Sequence, residues 1–111
     1  FVGDFNIIAS TSEYSALNNY LIGYQDVWLD YRASDAGFTW NPDINSWANY
    51  DEDESVQKQR IDYIFVKNGK NTKWNVKETD IVFNHSYNYS SGSMFVSDHF
   101  GLRSTLELSR S

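Results

Sequence analysis

The chain has no cysteine and a single proline among its 111 residues. Without cysteine there are no disulfides and no thiolate-held metals, so any metal chemistry must rest on oxygen or imidazole ligands; the absence fixes no compartment. With six glycines and no low-complexity tract, nothing reads as a linker or a disordered tail. Cations are scarce as well: nine Lys and Arg stand against fifteen Asp and Glu, a formal charge of −6. A surface that holds nucleic acid passively needs clustered Lys and Arg, and this balance argues against one. No apolar run approaches the length that crosses a bilayer as a helix.

What is present is core-forming material, 41% hydrophobic and 17% aromatic, enough for one packed domain. Asn84-His85-Ser86 and Asn88-Tyr89-Ser90 match the glycosylation triplet, but in an Asn/Ser-rich loop such matches arise by chance. Phe1-Val2 already reads as strand interior, with no cap or turn before Asp4. The expectation is that residues 1–111 are the C-terminal part of a longer protein.

Phe1 to Phe5 is a short apolar run that delivers Asp4 and Asn6 to its C-terminal edge; an Asx turn accounts for the same two residues. Ser10 and Glu13 form a capping box ahead of Tyr14, Leu17, Leu21 and Tyr24, predicting a helix over 11–22 that stops at Gly23. Asp26 reads as a turn or cap group. Residues 29–59 read as an elaborated loop in which Trp40, Trp47 and Tyr50 form a satellite core or, alternatively, a substrate rim. Asp51 to Glu54 reads as a solvated acidic run. Arg60 to Val66 is apolar on both faces apart from Asp62, as in a central covered strand. Asn68-Gly69 predicts a hairpin turn into Trp74 to Phe83. Residues 84–96 read as a polar, aromatic loop with His85 exposed, and Phe100 to Leu108 alternates as a strand with one wet face. These patterns predict an α/β (α+β) fold in which strands near 1–6, 60–66, 73–83 and 100–108 share one mostly antiparallel sheet, with one or two flanking helices.

Asp4, Asn6, Asp62, Asp98 and His99 all fall at or beside predicted strand ends, where an open α/β sheet carries its site. A buried carboxylate such as Asp62 must be paired, because an isolated buried charge is costly. Carboxylates and an amide with one imidazole, and without cysteine, suit a hard cation plus a proton-handling histidine. That combination points to hydrolytic chemistry.

Gly3-Asp4-Phe5-Asn6, Arg60-Ile61-Asp62-Tyr63-Ile64-Phe65-Val66 and Ser97-Asp98-His99-Phe100-Gly101-Leu102, in this order and spacing, resemble the endonuclease/exonuclease/phosphatase superfamily with its DNase-I-like fold. The resemblance spans nearly the whole chain and implies the C-terminal half of a two-sheet α/β sandwich, the N-terminal half being absent. It implies an Mg²⁺-dependent (or Mn²⁺-dependent) phosphodiester hydrolase working by in-line attack of water on phosphorus. By motif, Asp4 resembles the residue that orients or deprotonates the water, and Asn6 the amide on a phosphate oxygen. Asp62 resembles the carboxylate that fixes and charges His99, and Asp98 a metal ligand. Gly37-Phe38-Thr39-Trp40-Asn41-Pro42 followed by Asn45 looks most like neutral sphingomyelinases, although Asn41 stands where their Asp is usual. The implied substrate is then a phospholipid head group; a nuclease of the same fold and a non-catalytic binding module are the alternatives. The family's metal-binding Glu, second catalytic His and an early Asn belong to the N-terminal half. Residues 1–111 alone are therefore expected to be inactive and to leave an apolar sheet face bare, with Phe65, Val66, Ile81 and Phe83 on it.

Overall fold

The computed structural model describes residues 1–49 and 57–110. Strand β1 (Val2–Asp4) is followed by helix α1 (Ser12–Tyr20), strand β2 (Tyr24–Asp26), helix α2 (Val27–Arg32) and a 3-10 turn (Ser46–Asn49). Strands β3 (Asp62–Lys67), β4 (Thr72–Val82), β5 (Tyr87–Tyr89), β6 (Gly92–Met94) and β7 (Gly101–Arg110) complete the chain. The expected mixed α/β architecture, antiparallel with two helices, is present. Tyr50 and the acidic run Asp51 to Glu54 lie outside the described residues.

Helix α1 starts one residue later than the capping box implied. Thr11, not Ser10, is the N-cap, its Oγ1 accepting the Tyr14 N–H at 3.4 Å. The helix buries Tyr14, and Leu17 and Leu21 pack beside it on the same cluster. Gly23, at φ 83°, adopts the left-handed conformation that turns the chain into β2. Asp26 is indeed a cap, its Oδ1 accepting from the Trp28 N–H at 3.2 Å to start α2, and it also closes β2, whose first residue Tyr24 continues the helical spacing in the sequence but lies outside α1.

The strands are not one sheet. β3 is the centre of a three-stranded antiparallel sheet, with β1 on one edge (Asp4 opposite Asp62) and β2 on the other (Asp26 opposite Phe65). β1 and β2 flank β3, and β4 does not pair with it. Asn68-Gly69 accordingly makes no hairpin: Asn68 Oδ1 accepts the Trp74 N–H at 2.9 Å and redirects the chain. β4 then pairs with β7 in a separate antiparallel ribbon, bulged between Val76 and Glu78. β5 and β6 form a small hairpin inside the stretch read as loop.

Tyr14, Tyr63 and Phe65 form the buried aromatic cluster, Tyr63 stacking on Tyr14 at 5.6 Å and on Phe65 at 5.4 Å. Phe5 closes it edge-on against Tyr63 and Phe65. Phe65, expected on a bare face, is thus buried in the core at 2% exposure. Val66 and Ile81 are half-buried and Phe83 is exposed. On the other side Val27 and Trp28 are buried, and Gly37 is obligatory because a Cβ there would run into the Trp28 indole.

Within this core lies an ion pair that the sequence did not disclose. Arg60 Nη1 donates to Asp26 Oδ2 at 2.8 Å and to Oδ1 at 3.1 Å, with both side chains 5% exposed. The Tyr14 hydroxyl donates to Asp26 Oδ2 at 2.6 Å, and the guanidinium lies over the Tyr63 ring at 4.9 Å. Every Asp26 oxygen is satisfied, so α1, β2, α2 and the residues leading into β3 are tied at one point. Breaking such a pair strands a buried charge, which costs about 3–5 kcal/mol. Arg60→Met should therefore lower the unfolding free energy of the intact protein by about that amount, read as a shifted urea midpoint at unchanged slope. A loss below about 1 kcal/mol would show that the pair does not hold the core.

Candidate active site

Three strand ends build the site. β1 ends at Asp4, β3 begins at Asp62, and their register places the two carboxylates opposite each other. His99 stands two residues before the start of β7. Its Nδ1 lies 2.8 Å from Asp62 Oδ2 and its Nε2 lies 3.7 Å from Asp4 Oδ2. A carboxylate can only accept, so Nδ1 carries the proton toward Asp62 and Nε2 is left facing Asp4. The Asp62 and His99 side chains are partly buried and Asp4 is half exposed.

Burial alone pulls the His99 imidazole below its ordinary pKa. The hydrogen bond to Asp62 and the charges of Asp62, Asp4 and Asp98 together outweigh that, and the net shift is upward. The site thus favours an imidazolium. Asp4 is oriented by its own turn: the Asn6 N–H donates to Asp4 Oδ1 at 2.8 Å, with Asn6 at φ 52°, which leaves Oδ2 free. Asn6 itself is exposed beside it.

Asp98 stands apart. Asp4, Asp62 and His99 bring ligand atoms within 4.8 Å of one another, and Asp98 does not join that group. Its exposed carboxylate accepts from the Ser97 hydroxyl at 3.3 Å. Mg²⁺ asks for near-octahedral oxygen coordination. The cluster offers two carboxylates and one nitrogen, and one of those carboxylates is already bonded to the imidazole. These residues suit a charged histidine, not a magnesium cage, and no complete oxygen set for Mg²⁺ occurs among the described residues. His85 is exposed, as expected, and packs on Tyr87 at 4.7 Å.

Two buried polar residues, named in the sequence only within the segment that resembles neutral sphingomyelinases and given no role there, hold the site's backbone. Asn45, fully buried, donates from Nδ2 to the Ser97 carbonyl at 2.7 Å and accepts the Trp47 N–H at 3.0 Å. Thr39, also fully buried, touches both the Asp62 and the His99 segments through hydrogen bonds. The available signal was a threonine between two aromatics, Phe38 and Trp40, and an asparagine just past Pro42. Beside Asp98, Trp47, Met94, Phe95 and Val96 line a largely apolar groove of about 610 Å³.

No family model matches the chain, and no curated protein matches it. Among solved structures it is similar to an endonuclease/exonuclease/phosphatase family protein from Leptotrichia buccalis C-1013-b, with 30% identity and a TM-score of 0.59. The match covers 96% of this chain and 35% of that one, so the chain spans about a third of the length of the structure it matches. The mixed α/β fold with antiparallel sheets and two helices is consistent with half of a DNase-I-like fold.

Because the folded-state value of His99 is raised, its charge stabilises the fold fully below the unfolded pKa of ~6.5, and that contribution is lost as pH rises through the raised value. In Asp62→Asn the main upward influence is removed while burial still acts. The His99 titration midpoint, followed by NMR in the intact protein, should move down. An unmoved midpoint would dissociate Asp62 from the charge on His99.

Proposed function

We propose that this chain supplies part of the active site of a phosphodiester hydrolase of the endonuclease/exonuclease/phosphatase family, acting by in-line attack of water on phosphorus. The observation that carries this reading is His99 held between Asp62 and Asp4 at converging strand ends, in a chain similar to a protein of that family. Phosphoryl transfer asks for an aligned water and for positive charge at the phosphate oxygens. His99, protonated through Asp62, presents Nε2–H as a charged donor to one such oxygen. Asp4, with Oδ1 occupied by the Asn6 N–H, keeps Oδ2 to orient or deprotonate the water, and the Asn6 side-chain amide serves a second phosphate oxygen.

A divalent cation, Mg²⁺ or Mn²⁺, belongs to this reading with Asp98 as one exposed carboxylate ligand. The remaining ligands would come from the rest of the domain, the N-terminal half outside this chain. The substrate proposed is a phospholipid of the sphingomyelin type. The apolar groove beside Asp98 offers a surface to a substrate with hydrocarbon next to its phosphate, and the charge of −6 disfavours a polyanion.

The intact protein should release phosphocholine from sphingomyelin with Mg²⁺, lose that activity in EDTA, and regain it with Mg²⁺ or Mn²⁺. Residues 1–111 alone should be inactive. Asp62→Asn in the intact protein should lower turnover about 100-fold or more while substrate affinity changes little. Cleavage of duplex DNA without lipid hydrolysis would replace the lipid reading with a nuclease. No hydrolysis of either would leave a binding module, and full activity of residues 1–111 would contradict the division of the site.

A further inference from the structure

The geometry points to Thr39 as the positioning residue that sets Asp62 against His99, an inference that rests on the reading of those two as the active pair. The hydrogen-bond pattern of β3 shows why a residue is needed there. Phe1 and Phe65 exchange both ladder bonds, Phe65 N–H to the Phe1 carbonyl at 2.7 Å and Phe1 N to the Phe65 carbonyl at 3.0 Å. The Phe5 N–H reaches the Ile61 carbonyl at 3.1 Å. Odd-numbered residues of β3 therefore bond toward β1, and by the two-residue period of an antiparallel ladder the N–H of Asp62 faces the opposite edge. On that edge β2 pairs only as far as Phe65 opposite Asp26. The Asp62 N–H would be left without a strand partner, and a buried backbone donor must find one.

Thr39 is that partner. Its Oγ1 accepts the N–H of Asp62 at 3.3 Å and that of Ile61 at 3.2 Å, using both lone pairs of one hydroxyl oxygen. Its carbonyl accepts the Phe100 N–H at 2.6 Å, one residue past His99. Its own N–H is anchored to the Gln59 carbonyl at 3.0 Å, and its side chain has no exposed surface. One residue thus grips the backbone at Asp62 on one side and next to His99 on the other, so the carboxylate and the imidazole are each held within one residue of the same clamp. Asn45 steadies the segment from its far end through the Ser97 carbonyl. Thr39 touches no reacting group; its influence passes through the Asp62–His99 contact.

The test compares Thr39→Val, which replaces the acceptor by a methyl of similar size, with Thr39→Ser, which retains it, in the intact protein. The readouts are the downfield Nδ1–H resonance of His99, assigned by its disappearance in His99→Gln, and the His99 titration midpoint. Thr39→Val should lose the resonance and lower the midpoint, and should reduce turnover about 10- to 100-fold with KM within about threefold. Thr39→Ser should keep all of these near wild type. Thr39→Ala, which removes the hydroxyl without placing a methyl against the two N–H groups, carries the same expectation if Thr39→Val does not fold. A wild-type resonance and midpoint in folded Thr39→Val or Thr39→Ala would overturn the assignment, as would their loss in Thr39→Ser. The NMR readouts do not depend on substrate. If they respond as expected while Asp62→Asn leaves turnover intact, the clamp stands and the functional reading fails.

Discussion

A carboxylate taken out of water must be met by a cation or by hydrogen bonds, and this chain meets that constraint twice at the entrance to one strand. Asp26 is satisfied by Arg60, Tyr14 and the Trp28 N–H, deep in the core. Asp62, two residues after Arg60, is satisfied by His99 at the edge. The first pairing joins both helices to the segment leading into β3; the second ties β3 to the segment leading into β7. The two differ in what they leave available. Arg60 is enclosed and its charge is spent on structure, whereas His99 keeps Nε2 facing a half-exposed carboxylate, where a ligand can reach it.

That difference separates an enclosed ion pair from one open to its surroundings. Asp62 raises the affinity of His99 for its proton, and the register of β1 on β3 brings Asp4 to the other side of the ring. The parts of the arrangement come from strand ends and are fastened by buried polar contacts, Thr39 and Asn45 among them. Asp98 does not join the Asp4, Asp62 and His99 cluster, and the oxygen ligands a magnesium ion asks for are not assembled among the described residues.

Much of the site was legible in the sequence because its residues sit in short motifs whose neighbours are unambiguous. A carboxylate inside an apolar run, as at Asp62, has to find a partner, and a histidine immediately before an alternating strand is held in a fixed place. The helix was legible through the spacing of Tyr14, Leu17 and Leu21. Sheet membership was not, since the three residues of β2 are too few to show a period, and it is β2, not β4, that pairs with β3. The side of β3 that Phe65 occupies could not be read either, because a run apolar on both faces carries no alternation to say which face is the core. Thr39 and Asn45 lie in a stretch without periodicity, and their roles depend on backbone groups more than twenty residues away.

The central claim, that His99 works as an imidazolium charged through Asp62, is tested most directly by the pH dependence of kcat/KM for hydrolysis by the intact protein and by Asp62→Asn. Activity should fall as pH rises through a limb above the ordinary imidazole range of ~6.5, and this limb should move to lower pH in Asp62→Asn. A limb at the same pH in both proteins would contradict it.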